Sequence, residues 1–350
     1  MSLPDSAFWR GRRVLVTGAT GFMGGWLALW LARMGATVTG YALAPEHDDG
    51  ICAVSGIARL ITPVTADIRH DSVLRECMHL MRPDVVFHLA GLGPRQNPVD
   101  TYDVNAVGTV KLLEELRRAR CVRAAVIATS DAVYANTGRA HTEADRFGAQ
   151  DIYGASKIAA ELAVAAFRES LGAGHRLQVA TVRPGCVIGG GSWAPARLVP
   201  DAMRAFTSGE KLQVRTPDAT GHWQYVLDTL CGYLLTAERL ASGDPMAASA
   251  WNFGADESVS MRTMADKLVD AWNEDDWQET TAAWDDASNG AAAGAAPLLD
   301  SDKAQTALNW TPRFSLDQAV AATVTWHSAL VRGDDMAAVS ARMIEDYTEN

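Results

Sequence analysis

Tyr153 and Lys157 stand four residues apart in Tyr153-Gly-Ala-Ser-Lys157, just ahead of the small, apolar run Ala159-Ala-Glu-Leu-Ala. Residues at i and i+4 share one face of a helix, so this spacing predicts a phenol beside an ammonium. The positive charge favours the phenolate and lets the tyrosine take a proton near neutral pH. Upstream, Thr129-Ser130-Asp131 offers a hydroxyl that can bond a reacting oxygen, with a carboxylate next to it. A tyrosine–lysine pair is common on helices. It acquires meaning only from the elements around it.

The first of those elements is Val14-Leu-Val-Thr-Gly18-Ala-Thr-Gly21-Phe-Met-Gly24-Gly25. Val14 to Thr17 is continuously apolar, as a strand buried on both faces of a parallel sheet requires. The glycines let the backbone turn tightly and approach a pyrophosphate. The apolar helix that follows, ending at Gly35, turns its N-terminal N–H groups toward the phosphates. A second strand, Ala36–Tyr41, completes a βαβ unit. Strand, glycine loop and helix arrive in the order dinucleotide binding needs. Lys157 can then hold the nicotinamide ribose.

Further strands are read at Ile61–Ala66, Asp84–Gly91, Ala124–Ser130 and Val179–Cys186, with helices between them, among them an amphipathic one opening at Asn105. The alternation predicts an α/β Rossmann fold, a doubly wound parallel sheet whose ligand crevice lies at the C-terminal ends of the strands. The expected cofactor face comprises Gly18, Thr20, Gly21, Phe22, Met23 and Gly24 of the loop, then Tyr41, Asp67, Ile68, Leu89, Ala90, Gly91, Asn105 and Thr129. Tyr153, Lys157 and Pro184, the last bordering the nicotinamide, complete it. Asp67 can accept from the adenine amino group or cap the helix before Ser72. At Tyr41 neither an acid for ribose hydroxyls nor an arginine for a 2′-phosphate is present, which favours NAD over NADP. His88, inside an apolar strand, reads as a satisfied core histidine.

The chain has 350 residues, enough for two lobes that share a core, and a formal net charge of −11. That charge argues against nucleic acid or an anionic membrane as partner. Cys52, Cys77, Cys121, Cys186 and Cys231 show no metal spacing and read as reduced thiols of a cytoplasmic protein. No signal peptide or membrane span is read, and no metal is expected. The expected division is a dinucleotide-binding domain at 1–185 and a smaller α/β substrate lobe at 186–350, with the helix near 226–240 packing back on the first. The Ala/Gly-rich stretch from Asp285 to Pro297 reads as a low-complexity surface loop.

With these residues in place the chain resembles the extended short-chain dehydrogenase/reductases, and most closely the CDP-glucose 4,6-dehydratases, over nearly its whole length. The resemblance is carried by Phe8 to Gly18, Thr129-Ser-Asp131, Tyr153 with Lys157, Val187-Ile-Gly-Gly-Gly-Ser-Trp193, Arg197-Leu-Val-Pro-Asp201, Trp223-Gln-Tyr-Val-Leu and Trp251-Asn-Phe-Gly254. It implies a homodimer and a bound NAD that accepts hydride from a sugar C4 while Tyr153 takes the hydroxyl proton, assisted by Lys157 and Ser130. Water then leaves across C5–C6, with Asp131 as acid, and the hydride returns to C6. It also implies a nucleotide-sugar substrate touching Cys186, Trp193, Arg197 and Gln224.

The departures concentrate on the substrate side. Ala132 follows Asp131 where the family carries a lysine or glutamate, and a methyl group holds no proton. Cys186 replaces an asparagine, and Gly221 stands where the family has an arginine suited to a diphosphate. These changes keep three readings open: a dehydratase with its base elsewhere, an epimerase or dehydrogenase on a divergent sugar, and a non-catalytic NAD-binding regulator.

Overall fold

The computed structural model describes residues 2–172, 175–255, 257–274, 280–288 and 296–349. Seven parallel strands form the central sheet: β1 (Arg13–Thr17), β2 (Thr37–Ala42), β3 (Thr62–Thr65), β4 (Val85–His88), β5 (Ala124–Ala128), β6 (Gln178–Pro184) and β7 (Ala250–Phe253). Their order is β7-β6-β5-β4-β1-β2-β3. Val14 pairs in register with Val38 on one side and Val85 on the other. The order reverses between β1 and β4, and a ligand crevice opens where strands diverge in this way. Thr17, His88, Ala128 and Pro184 end their strands along that edge.

Helices cover both faces, among them α1 (Phe22–Arg33), α2 (Asp71–Met81), α3 (Gly108–Arg118) and α4 (Ile152–Leu171). Leu15, Val86, Ala125 and Ile127 point to one face and pack with Leu112, Leu116 and Val164. The alternate residues Val14, Val16, Phe87 and Val126 point to the other. This two-sided burial is why the strands read as unbroken apolar runs.

After β6 the chain builds the wall over the crevice. Cys186–Ile188 pairs in parallel with Trp223–Tyr225, α5 (Leu198–Thr207) follows, and α6 (Val226–Ala241) returns to the sheet. Its Leu227, Leu230 and Leu234 share one continuous core with Val16 and Phe87 of the sheet and Met203 and Phe206 of α5. One strand of the 186–350 segment, Ala250–Phe253, is itself β7, the edge of the main sheet beside β6. The chain therefore crosses between the two regions more than once.

The stretch from Asp285 to Pro297 does not behave as one loop. Trp284–Asp286 pairs with Leu212–Val214, because Trp284 packs its apolar ring on the core. Within that expected loop, residues 289–295 lie outside the described residues. Asn105 likewise does not open a helix: it sits in a π-helical turn, Asp103–Val107, joining Pro98–Tyr102 to α3. Among the described residues no helix is long and apolar enough to cross a membrane, and no group of three or more His, Cys, Asp or Glu is placed to hold a metal.

Candidate active site

A cleft of about 1020 Å³ lies along the C-terminal edge of the sheet, lined by Gly18, Gly21 to Gly24, Ser130, Asp131, Tyr153, Lys157 and Pro184, and closed by Cys186, Arg197 and Trp223. At its base the glycine loop is sterically determined. Gly18 has φ +72°, and a Cβ there would lie 2.6 Å from the Ala90 nitrogen. A Cβ on Gly24 would lie 2.0 Å from the Gly18 carbonyl oxygen. Only bare backbone fits. Gly21 precedes α1 with no side-chain cap, so the first-turn N–H groups of Phe22 to Gly24 stay available at the positive end of the helix. The loop is held from below, since Gly18 donates to the Tyr41 carbonyl at 2.8 Å. These features fit a dinucleotide pyrophosphate.

The neighbouring turn is pinned as tightly. Asn105 is buried; its Oδ1 accepts from Leu92 N at 2.8 Å, and its Nδ2 donates to Leu92 O and to Ser156 Oγ, both at 3.0 Å. That fixes Gly91, where a Cβ would lie 3.2 Å from Lys157 Nζ. Asn105 therefore acts through the loop and not by facing the cleft. His88 is a satisfied core residue, with Nδ1 2.7 Å from Thr17 Oγ1 and Nε2 3.1 Å from Thr109 Oγ1. Burial pushes its pKa down to about 3, so the ring is neutral.

Asp151 caps α4 by accepting from Gly154 N at 2.7 Å, which sets Tyr153 in the first turn of the helix. Gly154 lets that turn approach the Ser130 strand end: a Cβ there would meet the Ala132 oxygen at 2.4 Å. Ser130 lies close enough to Tyr153 to act on its phenol, and Ser130 Oγ donates to Asp131 Oδ1 at 2.8 Å. Lys157 is buried, with Nζ 5.9 Å from the centre of the Tyr153 ring, donating to the Ala128 carbonyl at 3.2 Å. Burial draws the pKa of Lys157 down to about 8. The structure brings Ser130, Asp131, Tyr153 and Lys157 to one place.

One expectation about them is overturned. The Tyr153 phenol is not depressed; burial raises its pKa, against a smaller lowering from the neighbouring Ser130 hydroxyl. Desolvation of the phenol sets the direction, and Lys157 directs its ammonium at a backbone carbonyl. Burial also raises the Asp131 carboxyl, with the Ser130 bond and the charge of Arg197 acting against it. A carboxyl of that kind keeps its proton to higher pH than an exposed one.

Several expected contacts are engaged elsewhere. Tyr41 is fully buried and its hydroxyl donates to the Asp67 carbonyl at 3.0 Å; only its backbone serves the glycine loop. The Asp67 carboxylate is held by Arg69, at 2.7 Å from Nη2, and α2 begins at Asp71 with His70 as its cap, so Asp67 caps no helix. Ile68 is buried beside them. Thr129 turns its hydroxyl to Glu161 Oε1 at 2.6 Å. Gln224 is buried, its Oε1 accepting from Thr229 at 2.8 Å. The Trp193 indole donates to the Asp49 carbonyl at 3.0 Å and meets His327 edge-on. Neither Gln224 nor Trp193 lines the cleft, whereas Cys186 and Arg197 do. Burial pushes the Cys186 thiol up to about 11, so it stays protonated.

Two features escape sequence reading. Glu161 and Arg183 form a buried ion pair at 2.8 Å behind Thr129, closed by Thr181 on Glu161 and Tyr134 on Arg183. The signal was present: a charge inside Val179-Ala-Thr-Val-Arg183 must be paired. Arg215 also lines the cleft, and nothing in the local pattern around it marks it as part of the wall.

The model of the NAD-dependent epimerase/dehydratase family matches residues 14–254, the span from β1 to the end of β7. The chain belongs to that family. CDP-glucose 4,6-dehydratase of Salmonella typhimurium is 37% identical over 98% of this chain and 98% of its own length. UDP-glucose 4-epimerase of Erwinia amylovora is 26% identical over 92% and 99%. Among solved structures, dTDP-glucose 4,6-dehydratase of Bacillus anthracis, in complex with NAD, superposes with a TM-score of 0.76 at 17% identity, covering 91% of this chain and 96% of that one. Membership in the NAD-dependent epimerase/dehydratase family makes this chain an NAD-dependent enzyme of the nucleotide-sugar dehydratase/epimerase kind.

Proposed function

We propose that the enzyme oxidises the C4 hydroxyl of a nucleotide-linked sugar and then eliminates water across C5–C6, as a 4,6-dehydratase of the CDP-glucose type. The observation that carries this reading is the placement of Asp131, a carboxyl that accepts from Ser130 and whose proton affinity is raised by burial, beside Tyr153 in one cleft. The 37% identity over nearly the whole chain supports it.

Bound NAD supplies the hydride acceptor and donor. Tyr153 takes the C4 hydroxyl proton, Ser130 orients that oxygen, and Lys157 holds the neighbouring ribose. A 4-keto group acidifies the C5 proton, which passes to solvent water in the cleft because Ala132 holds none, as the C5–C6 double bond forms and the C6–O bond breaks. Asp131 delivers its own proton to the departing C6 oxygen. Arg197, whose charge acts on Asp131, and Arg215 line the cleft wall and suit a diphosphate. The exposed apolar residues Val99, Val107 and Val110, with Ile152 and Leu162 of α4, support a homodimer paired through these helices. The five unpaired cysteines support a cytoplasmic setting.

A second reading is favoured by Ala132. Its methyl lines the cleft directly after Asp131 and can accept no C5 proton, which suits an epimerase or dehydrogenase. Incubating the enzyme with a panel of nucleotide sugars in deuterated water separates the two. Dehydration gives a product lighter by one water with solvent deuterium incorporated. An unchanged composition with an inverted centre would replace the first reading by the second.

A further inference from the structure

Helix α6 carries a phenol that the reading above does not use. Tyr233 is fully buried, and its hydroxyl has no hydrogen-bond partner among the described residues. The residue lines the cleft, and its ring centre lies 5.8 Å from that of Phe253. Phe253 pairs in register with Pro184, so Tyr233 sits beside the C-terminal ends of β6 and β7. It is also near enough to Tyr153 for the charges of the two phenols to interact. Burial holds its pKa well above that of an ordinary phenol, so the hydroxyl is a donor throughout the working pH range.

A buried hydroxyl left unpaired is costly, and phenylalanine would fill the same space without that cost. The arrangement makes sense where a ligand brings the acceptor. The glycine loop fixes a pyrophosphate above β1, and Ser130 with Tyr153 marks the reacting end above β5. A dinucleotide spanning these two points carries its nicotinamide toward Pro184, and the polar substituent of that ring is a carboxamide. We propose that Tyr233 is a positioning residue whose hydroxyl donates to the nicotinamide carboxamide and fixes the ring face turned to the substrate. This inference rests on the reading of Tyr153 as the proton acceptor at the reacting end.

The test compares NAD with ADP-ribose, which keeps the pyrophosphate and both riboses but lacks nicotinamide. Titration calorimetry on cofactor-free Tyr233→Phe should show NAD bound about tenfold more weakly than by the parent, with ADP-ribose unchanged. The variant loses one atom without a protein partner, so its ligand-free melting temperature should not fall. In the parent, the thionicotinamide analogue of NAD should bind more weakly than NAD, and the variant should not distinguish them. Equal effects on NAD and ADP-ribose, or none on either, would overturn the proposal. So would a lower melting temperature, which means a partner within the protein, or unchanged NAD binding with an altered KM for substrate, which moves the contact to the sugar. None of these readouts needs turnover, so a failure of the Tyr153 reading is seen separately, as undiminished rate in Tyr153→Phe.

Discussion

The two sides of one cleft are built on different terms. On the cofactor side backbone approaches backbone: Gly18 against Ala90, Gly24 against Gly18, Gly154 against Ala132. Behind them stand buried polar contacts, with Asn105 bracing the Gly91–Leu92 turn and Glu161–Arg183 bracing Thr129. A single change there disturbs several fixed contacts. On the substrate side the wall is made of side chains: the methyl of Ala132, the neutral thiol of Cys186, the guanidinium groups of Arg197 and Arg215. Each can change without moving a strand. Redox geometry is therefore held by the fold, while substrate chemistry is held by groups the fold does not constrain.

The largest expected effect tests the first half of that contrast. Tyr153→Phe should lower turnover by roughly 10²–10⁴-fold, the usual worth of a general base, and leave NAD affinity intact because only the phenolic oxygen is lost. Lys157→Ala should damage both. Steady-state kinetics with a parallel NAD titration would read this, and an undiminished rate in Tyr153→Phe would break the account.

Next comes the brace. Arg183→Met leaves Glu161 as an uncompensated buried charge, which should cost about 3–5 kcal/mol of stability in denaturant unfolding. A loss under about 1 kcal/mol would show that the pair does not hold the strand end. The smallest effect sharpens the substrate half. An added Cβ at Gly221 would lie 3.1 Å from the Trp223 indole, so Gly221→Ala should cost about 1 kcal/mol, the low end of overpacking. In this chain the glycine and the tryptophan above it are fitted together, and Gly221→Arg should not gain affinity for a diphosphate. A tighter KM in that variant would show the wall to be looser than described.

The fold and the cofactor side were legible because both rest on periodic or local patterns. Unbroken apolar strands, the Gly18-Gly21-Gly24 spacing and the Tyr153–Lys157 interval depend only on neighbours in sequence. What escaped depends on contacts across the chain. Tyr41 sits where a ribose contact was expected, yet its ring turns into the core and its hydroxyl reaches Asp67, 26 residues on. Gln224 and Trp193 belong to segments that carry the resemblance, but the Gln224 Oε1 accepts from Thr229 and the Trp193 indole donates to Asp49. The direction of the Tyr153 shift was misjudged because spacing reports the charge nearby and not the water excluded. The place of strand Ala250–Phe253 beside β6 is set by a return through α6 that no local pattern encodes.

The central claim, that Asp131 is the acid of an elimination following C4 oxidation, is tested most directly by a single-turnover experiment on Asp131→Asn. With the substrate identified by the sugar panel, absorbance of the reduced cofactor and product mass are followed in the same sample. The account predicts that C4 oxidation persists while loss of water falls by roughly 10²–10⁴-fold. In the parent, elimination should hold above the usual carboxylate range, because burial raises the Asp131 carboxyl. It should decline as pH rises through that raised value, since only the protonated form can donate; the variant should lack this limb. Dehydration by Asp131→Asn at the parent rate, with the parent's pH profile, would contradict the claim.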